Sequence, residues 1–204
     1  MKPLAILLSL WLALTPQENS PTSLKFEGLT LQVELEETWN KPGYFTKIHS
    51  DTIIVKLGLM GQISGQRYTL EPDKSVKSIA IFQNYETSLT LMDEGPHIDL
   101  VNWKHHKSDW KRLELEDNHF STLKYSRAQN AMFPDVTTDE ILSALRDHLN
   151  VENNRWTELA KQCSSANSYP CGVSISSINL KIELTKVDGT TSLKHKIFEV
   201  PMGC

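Results

Sequence analysis

Asp188-Gly189 separates two runs of alternating apolar and polar residues, and this arrangement constrains the fold more than any other feature of the chain. Asp-Gly is a preferred central pair for a two-residue type I′ turn, whose twist suits a β-hairpin. With these two residues as the turn, Val187 faces Thr190, Leu184 faces Leu193, Ile182 faces His195 and Leu180 faces Ile197. One face is then apolar, while on the other Glu183 meets Lys194 as an opposite-charge pair. That register predicts a packed core position for His195. It also places Cys204 opposite Val173, two residues from Cys171.

Period-two patterning recurs upstream. Leu24, Phe26, Leu29, Leu31, Val33 and Leu35 alternate with polar residues, with one slip at Gly28 that reads as a bulge. Thr52 to Leu59 is a β-branched apolar run that suits a central strand. Val76 to Phe82 and Ser88 to Met92 read as two further strands, and Phe120 to Tyr125 as another. The helical signal starts at Thr137. Thr137 and Glu140 have capping-box spacing, flanked by Val136 and Ile141 at the staple positions. Ile141, Leu142, Leu145 and Leu149 then form an apolar stripe. Trp156, Leu159, Ala160 and Cys163 continue helical spacing beyond Asn150, Asn153 and Asn154, which favours two helices over one. The expected fold is α+β: an antiparallel sheet packed against one long or two short helices, ending in a C-terminal hairpin.

The N-terminus has the order of a secretory leader. Lys2 is followed by an apolar run from Leu4 to Leu14, broken only by Ser9, and then by a polar exit. The run is about half the ~20 residues that a membrane-spanning helix needs. Residues 1–20 are therefore expected to be a signal peptide and residues 21–204 a single domain, secreted or periplasmic, without a membrane span in the mature chain. Export permits a disulfide among Cys163, Cys171 and Cys204. Cys163–Cys171 is the expected pair, because it ties the helix end to the sheet and a C-terminal cysteine tends to fray. A net charge of -4 lacks the basic surface that phosphate binding wants, which argues against nucleic acid as a partner.

Chemistry-bearing residues concentrate between positions 93 and 112. If His97 to Val101 is extended, Ile98 and Leu100 point to one face, and His97 and Asp99 to the other. His97 and Asp99, completed by His105 or His106, are candidate ligands for a divalent metal, although the same types also suit a solvated loop. Trp103, Trp110 and Arg112, with lysines between them, have the composition of a partner-binding surface. There is no Gly-x-Ser-x-Gly, no His-Glu-x-x-His and no phosphate loop. The leading expectation is an exported binding or interaction protein without a cofactor, whose partner is a protein or a glycan. The alternatives are a metal-dependent hydrolase built on the 97–109 cluster, and an inhibitor or immunity-type protein.

Overall fold

A computed structural model describes residues 22–33, 45–49, 51–57, 65–149, 155–200 and 202. The chain runs β1 (Thr22–Phe26), β2 (Leu29–Val33), β3 (Phe45–His49), β4 (Thr52–Lys56), β5 (Arg67–Pro72), β6 (Val76–Met92), β7 (His97–Lys107), β8 (Lys111–Leu113) and β9 (His119–Ser121). A 3-10 turn (Arg127–Met132), α1 (Thr138–Leu149), α2 (Arg155–Ala160), β10 (Cys171–Lys186) and β11 (Thr191–Glu199) follow.

β6 organises the molecule. It is one strand of 17 residues, spanning roughly 55 Å at about 3.3 Å per residue. The two strands expected here are its two ends. The polar stretch between them is largely buried and most of its side chains are paired, although the Thr87 hydroxyl finds no partner among the described residues; the ladder is not interrupted. Gln83 Nε2 donates to the Tyr125 hydroxyl at 2.9 Å, Asn179 Nδ2 donates to Asn84 Oδ1 at 2.9 Å, and the Ser88 and Ser176 hydroxyls lie 2.8 Å apart. Buried polar groups are tolerated in this way when each finds a partner.

Two sheets result. One has the order β1-β2-β5-β9. The other has the order β3-β4-β11-β10-β6-β7, with β8 also on β6. β4 and β11 are parallel, so β11 is an interior strand flanked by β4 and β10. The larger core lies between the sheets: Leu31, Tyr68, Leu70 and Phe120 meet Ile53, Ile81, Leu180, Ile182 and Phe198. A second core covers the far ends of β6, β7 and β10, where Leu89, Leu91, Leu100 and Val173 meet Ile141, Leu142 and Leu145 of α1 and Ala160 of α2. Full burial of Ile141 and Leu145 stabilises by about 1.5–3 kcal/mol each. The Thr137–Glu140 capping box forms, with Thr137 N donating to Glu140 Oε2 at 2.9 Å and Glu140 N donating to Thr137 Oγ1 at 3.3 Å.

The expected α+β class is therefore corrected. More than half of the described residues lie in strands, and fewer than a fifth in helices. The principal layer against the large sheet is a second sheet, and helices cover one end only. β1, β2, β5 and β9 form a sheet of their own, and local alternation does not distinguish strands of a second sheet from further strands of the first. Gly28 is also not a bulge. It lies in the tight turn that joins β1 to β2, with φ +82° and Phe26 paired with Leu29.

The hairpin register is corrected by one residue. Thr185 pairs with Thr191, and Lys186 N donates to Thr190 O at 2.8 Å. The loop is thus Val187-Asp188-Gly189. Gly189 N donates to Lys186 O at 3.0 Å, and Gly189 adopts φ +86°. A turn followed by a left-handed glycine is the usual three-residue hairpin. Asp188 Oδ1 accepts from Thr190 N at 2.9 Å and from the Thr190 hydroxyl at 2.7 Å. A one-residue slip exchanges the two faces of a strand. Ile182 therefore faces Lys194 and Leu180 faces Lys196, while Leu193, His195 and Ile197 turn outward, and Glu183 faces Leu193 rather than Lys194. His195 lies opposite Lys181 on the outer face. Its pKa is lowered, first by partial burial and then by Lys181.

The slip buries two lysines in the sheet. Lys194, 3% exposed, reaches Asp51 at the β3–β4 turn. Lys196, 1% exposed, has its ammonium 4.9 Å from the Tyr68 ring centroid and 4.5 Å from that of Phe198. Burial pushes the Lys196 pKa down to about 7.

A disulfide joins Cys163 to Cys171 with their Cα atoms 5.7 Å apart, the expected pairing. Cys204 and the leader lie outside the described residues. Among the described residues, no helix is long and apolar enough to cross a membrane.

Candidate functional site

β7 is extended from His97 to Lys107, so His97 and Asp99 do share one face. His97 Nε2 lies 3.3 Å from Asp99 Oδ2, and each side chain is 25% exposed. Thr90 pairs with Asp99 across the ladder, and Thr90 Oγ1 and Asp99 Oδ1 are both buried without a hydrogen-bond partner among the described residues. His105 and His106 do not join this pair. Leu100 pairs with Leu89 and His105 with Ser88, so residues 101–104 bulge from the ladder. His105 Nδ1 lies 3.3 Å from the Trp103 carbonyl oxygen, while the His106 ring packs 5.9 Å from that of Tyr85. Among the described residues, no group of three or more His, Cys, Asp or Glu side chains could hold a metal ion.

The tryptophans also part. Trp103 packs on the helix-side core, and Lys104 beside it pairs with Glu140 of α1. This contact and the Thr137 backbone N–H hold the Glu140 carboxyl below its ordinary value. Trp110 is half-exposed instead, with the Lys181 ammonium 5.3 Å from its ring and 4.3 Å from that of Phe82. Arg112 is register-paired with Phe82. Trp110 and Arg112 thus belong to the outer face of the sheet, away from Trp103.

A groove of about 360 Å³ opens between the β7–β8 connection and the segment that follows β9. Its floor is Tyr85 of β6. One wall is His106, Lys107, Ser108, Asp109 and Lys111, and the other is Leu123, Lys124, Tyr125, Gln129 and Met132. Both walls are hydrogen-bonded to β6. Ser108 N donates to Tyr85 O at 3.0 Å, Tyr85 N donates to Ser108 Oγ at 3.1 Å, and Asn84 Nδ2 donates to Ser108 O at 3.3 Å. On the other side the Gln83 amide bridges two groups, donating to the Tyr125 hydroxyl and accepting from Leu123 N at 3.0 Å. The 3-10 turn is capped by Ser126, whose N–H donates to Gln129 Oε1 at 2.6 Å.

The Tyr85 and Tyr125 rings meet at 4.6 Å and 58°. Burial raises the pKa of Tyr85 and, more strongly, that of Tyr125, to about 12. Both are therefore neutral phenols at physiological pH and act as hydrogen-bonding groups rather than anions. The expected region from 97 to 112 supplies one wall of this groove. Tyr85, Lys124, Tyr125 and Met132 were not anticipated, because they come from segments about 40 residues apart that only the fold brings together. An isolated aromatic at Tyr85, inside a polar strand segment, was the one local sign.

Comparison with protein-family models, with curated proteins and with solved structures finds no match. Fold and groove together define this chain only as a two-sheet β protein with a tyrosine-floored, lysine-edged cleft.

Proposed function

We propose that the chain is an exported binding module that holds a glycan in the Tyr85–Tyr125 groove. The observation that carries this reading is the packed Tyr85, Tyr125 and His106 ring cluster, edged by polar groups in a preformed cleft. Ligand sites are typically concave, largely preformed, and of roughly 300–1,000 Å³. Aromatic faces suit the apolar face of a sugar ring, while Ser108, Asp109, Gln129 and the neutral phenols offer donors and acceptors for hydroxyls. Only Leu123 and Met132 add aliphatic surface to the lining, which is little for the deep apolar anchor that a protein partner would want. The apolar leader and the Cys163–Cys171 disulfide support export.

The test is a glycan array probed with the mature protein and with Lys124→Glu, a change at an exposed side chain of the groove. Selective retention that disappears in the variant, at an unchanged melting temperature, supports the reading. Identical profiles for the two proteins, or no retained glycan, overturn it.

A further inference from the structure

We infer that the glycan held in this groove is acidic, with its anionic group meeting the lysines at the lip; this rests on the glycan reading above. The charge of the groove runs against that of the chain. The protein carries a net -4, yet the groove lining holds Lys107, Lys111 and Lys124 against Asp109 alone, three positive charges to one negative. The three lysines are not equivalent. Lys107 is neutralised by Glu86, with Nζ 2.7 Å from Oε1. No carboxylate among the described residues pairs with Lys111 or Lys124.

The Lys124 stem runs along bare backbone. It lies against Gly65, where an added Cβ would sit 2.7 Å from Lys124 Cε, and Gly65 has φ +71°. An added side chain at position 65 would push the end of Lys124 aside, so the bare backbone there leaves room for the stem along the groove wall. The Lys111 and Lys124 side chains are both exposed, so their ammonium groups are free to meet an anion at the lip.

The ligand chemistry is thus a sugar ring that stacks on tyrosine and bears a carboxylate or a sulfate. Three probes separate the components by isothermal titration: oligogalacturonate, its methyl ester, and a sulfated galactan oligosaccharide. A fourth, oligoglutamate, carries charge without a sugar ring. The expected result is binding of at least one anionic sugar, with the methyl ester at least about tenfold weaker, since one charge-assisted contact is worth about that factor. Lys111→Gln with Lys124→Gln should weaken the anionic sugar about tenfold or more while leaving the melting temperature unchanged, both side chains being exposed. Whether the uronate or the sulfated sugar binds identifies the anion. Equal binding of oligogalacturonate and its methyl ester, with no binding of the sulfated sugar, overturns the acidic inference and leaves the glycan reading intact. Oligoglutamate binding as tightly as the best sugar overturns it too. If none of the anionic sugars binds while the array retains a neutral glycan, the inference fails alone; if the array also retains nothing, both readings fail.

Discussion

Replacing Lys196 by methionine should make this protein more stable, although the change removes a side chain that two aromatic rings surround. The stem of Lys196 is already packed between Leu180 and Ile53 in the ladder, and methionine fills most of that space without an ammonium. The magnitude follows from the shift in proton affinity. Burial lowers the lysine from 10.5 to about 7. At about 1.36 kcal/mol per pH unit that difference is on the order of 5 kcal/mol. That difference is the net cost of holding the charged form in its folded surroundings, so the expected gain of the variant at pH 6 is on the order of 5 kcal/mol at most, less whatever packing methionine loses.

The sign of the pH dependence is fixed by the same shift. The unfolded chain holds this proton up to about pH 10.5 and the folded chain only to about pH 7. The penalty is therefore complete below pH ~7 and fades as pH rises toward ~10.5, at up to about 1.4 kcal/mol per unit. Wild-type stability gains this term on going from pH 7 to pH 10, and Lys196→Met does not. Urea unfolding of both proteins at pH 6 and pH 9.5, followed by tryptophan fluorescence, measures it. Taking the difference between the two proteins cancels the titration of all other groups. A difference that does not shrink between the two pH values, or a variant less stable at pH 6, would refute the reasoning.

Reduction of the Cys163–Cys171 bond, or Cys163→Ser with Cys171→Ser, should lower stability by about 2–3 kcal/mol on the loop-entropy model for so short a loop, measured by denaturant midpoint. Leu145→Ala, at a position with 0% exposure, should lose about 2–4 kcal/mol through the cavity left against Leu89 and Leu91. Gly189→Ala forces a Cβ into φ +86° and should cost about 1 kcal/mol, read as a lower melting temperature. An unchanged melting temperature would contradict the three-residue loop.

Local chemistry was legible in the sequence, and long-range parity was not. The capping box at Thr137 and Glu140, the helix stripe and the Cys163–Cys171 pairing all depend on neighbours within a dozen residues, and all are found. The face of β11 depended on whether Asp188-Gly189 closed a two-residue or a three-residue loop. The pair suits both, and the two-residue choice gave the more apolar face. The structure takes the other, in which Lys194 reaches Asp51 and Lys196 lies over the Tyr68 ring, partners more than 100 residues away that no local pattern reveals. β6 was divided for a similar reason. Gln83 and Asn84 resemble a strand break until Tyr125 and Asn179 are known to satisfy them. At the candidate site the sequence located one wall, from His106 to Lys111; the opposite wall falls at the end of the stretch from Phe120 to Tyr125, whose pattern predicts a strand, whereas the strand stops at Ser121 and Leu123 to Tyr125 leave the sheet to line the groove.

The position of β11 also governs the order in which the sheet can be assembled. β4 and β10 are neighbours of β11 rather than of each other, and β4 precedes β11 by roughly 140 residues. The β3–β4 hairpin emerges from the ribosome early and has no place to dock until nearly all of the described chain has followed it. At synthesis rates of about 5–20 residues per second this leaves it waiting for roughly 7–28 seconds. During that interval the nascent chain holds apolar strands without a finished ladder, the state in which association with other chains competes with folding.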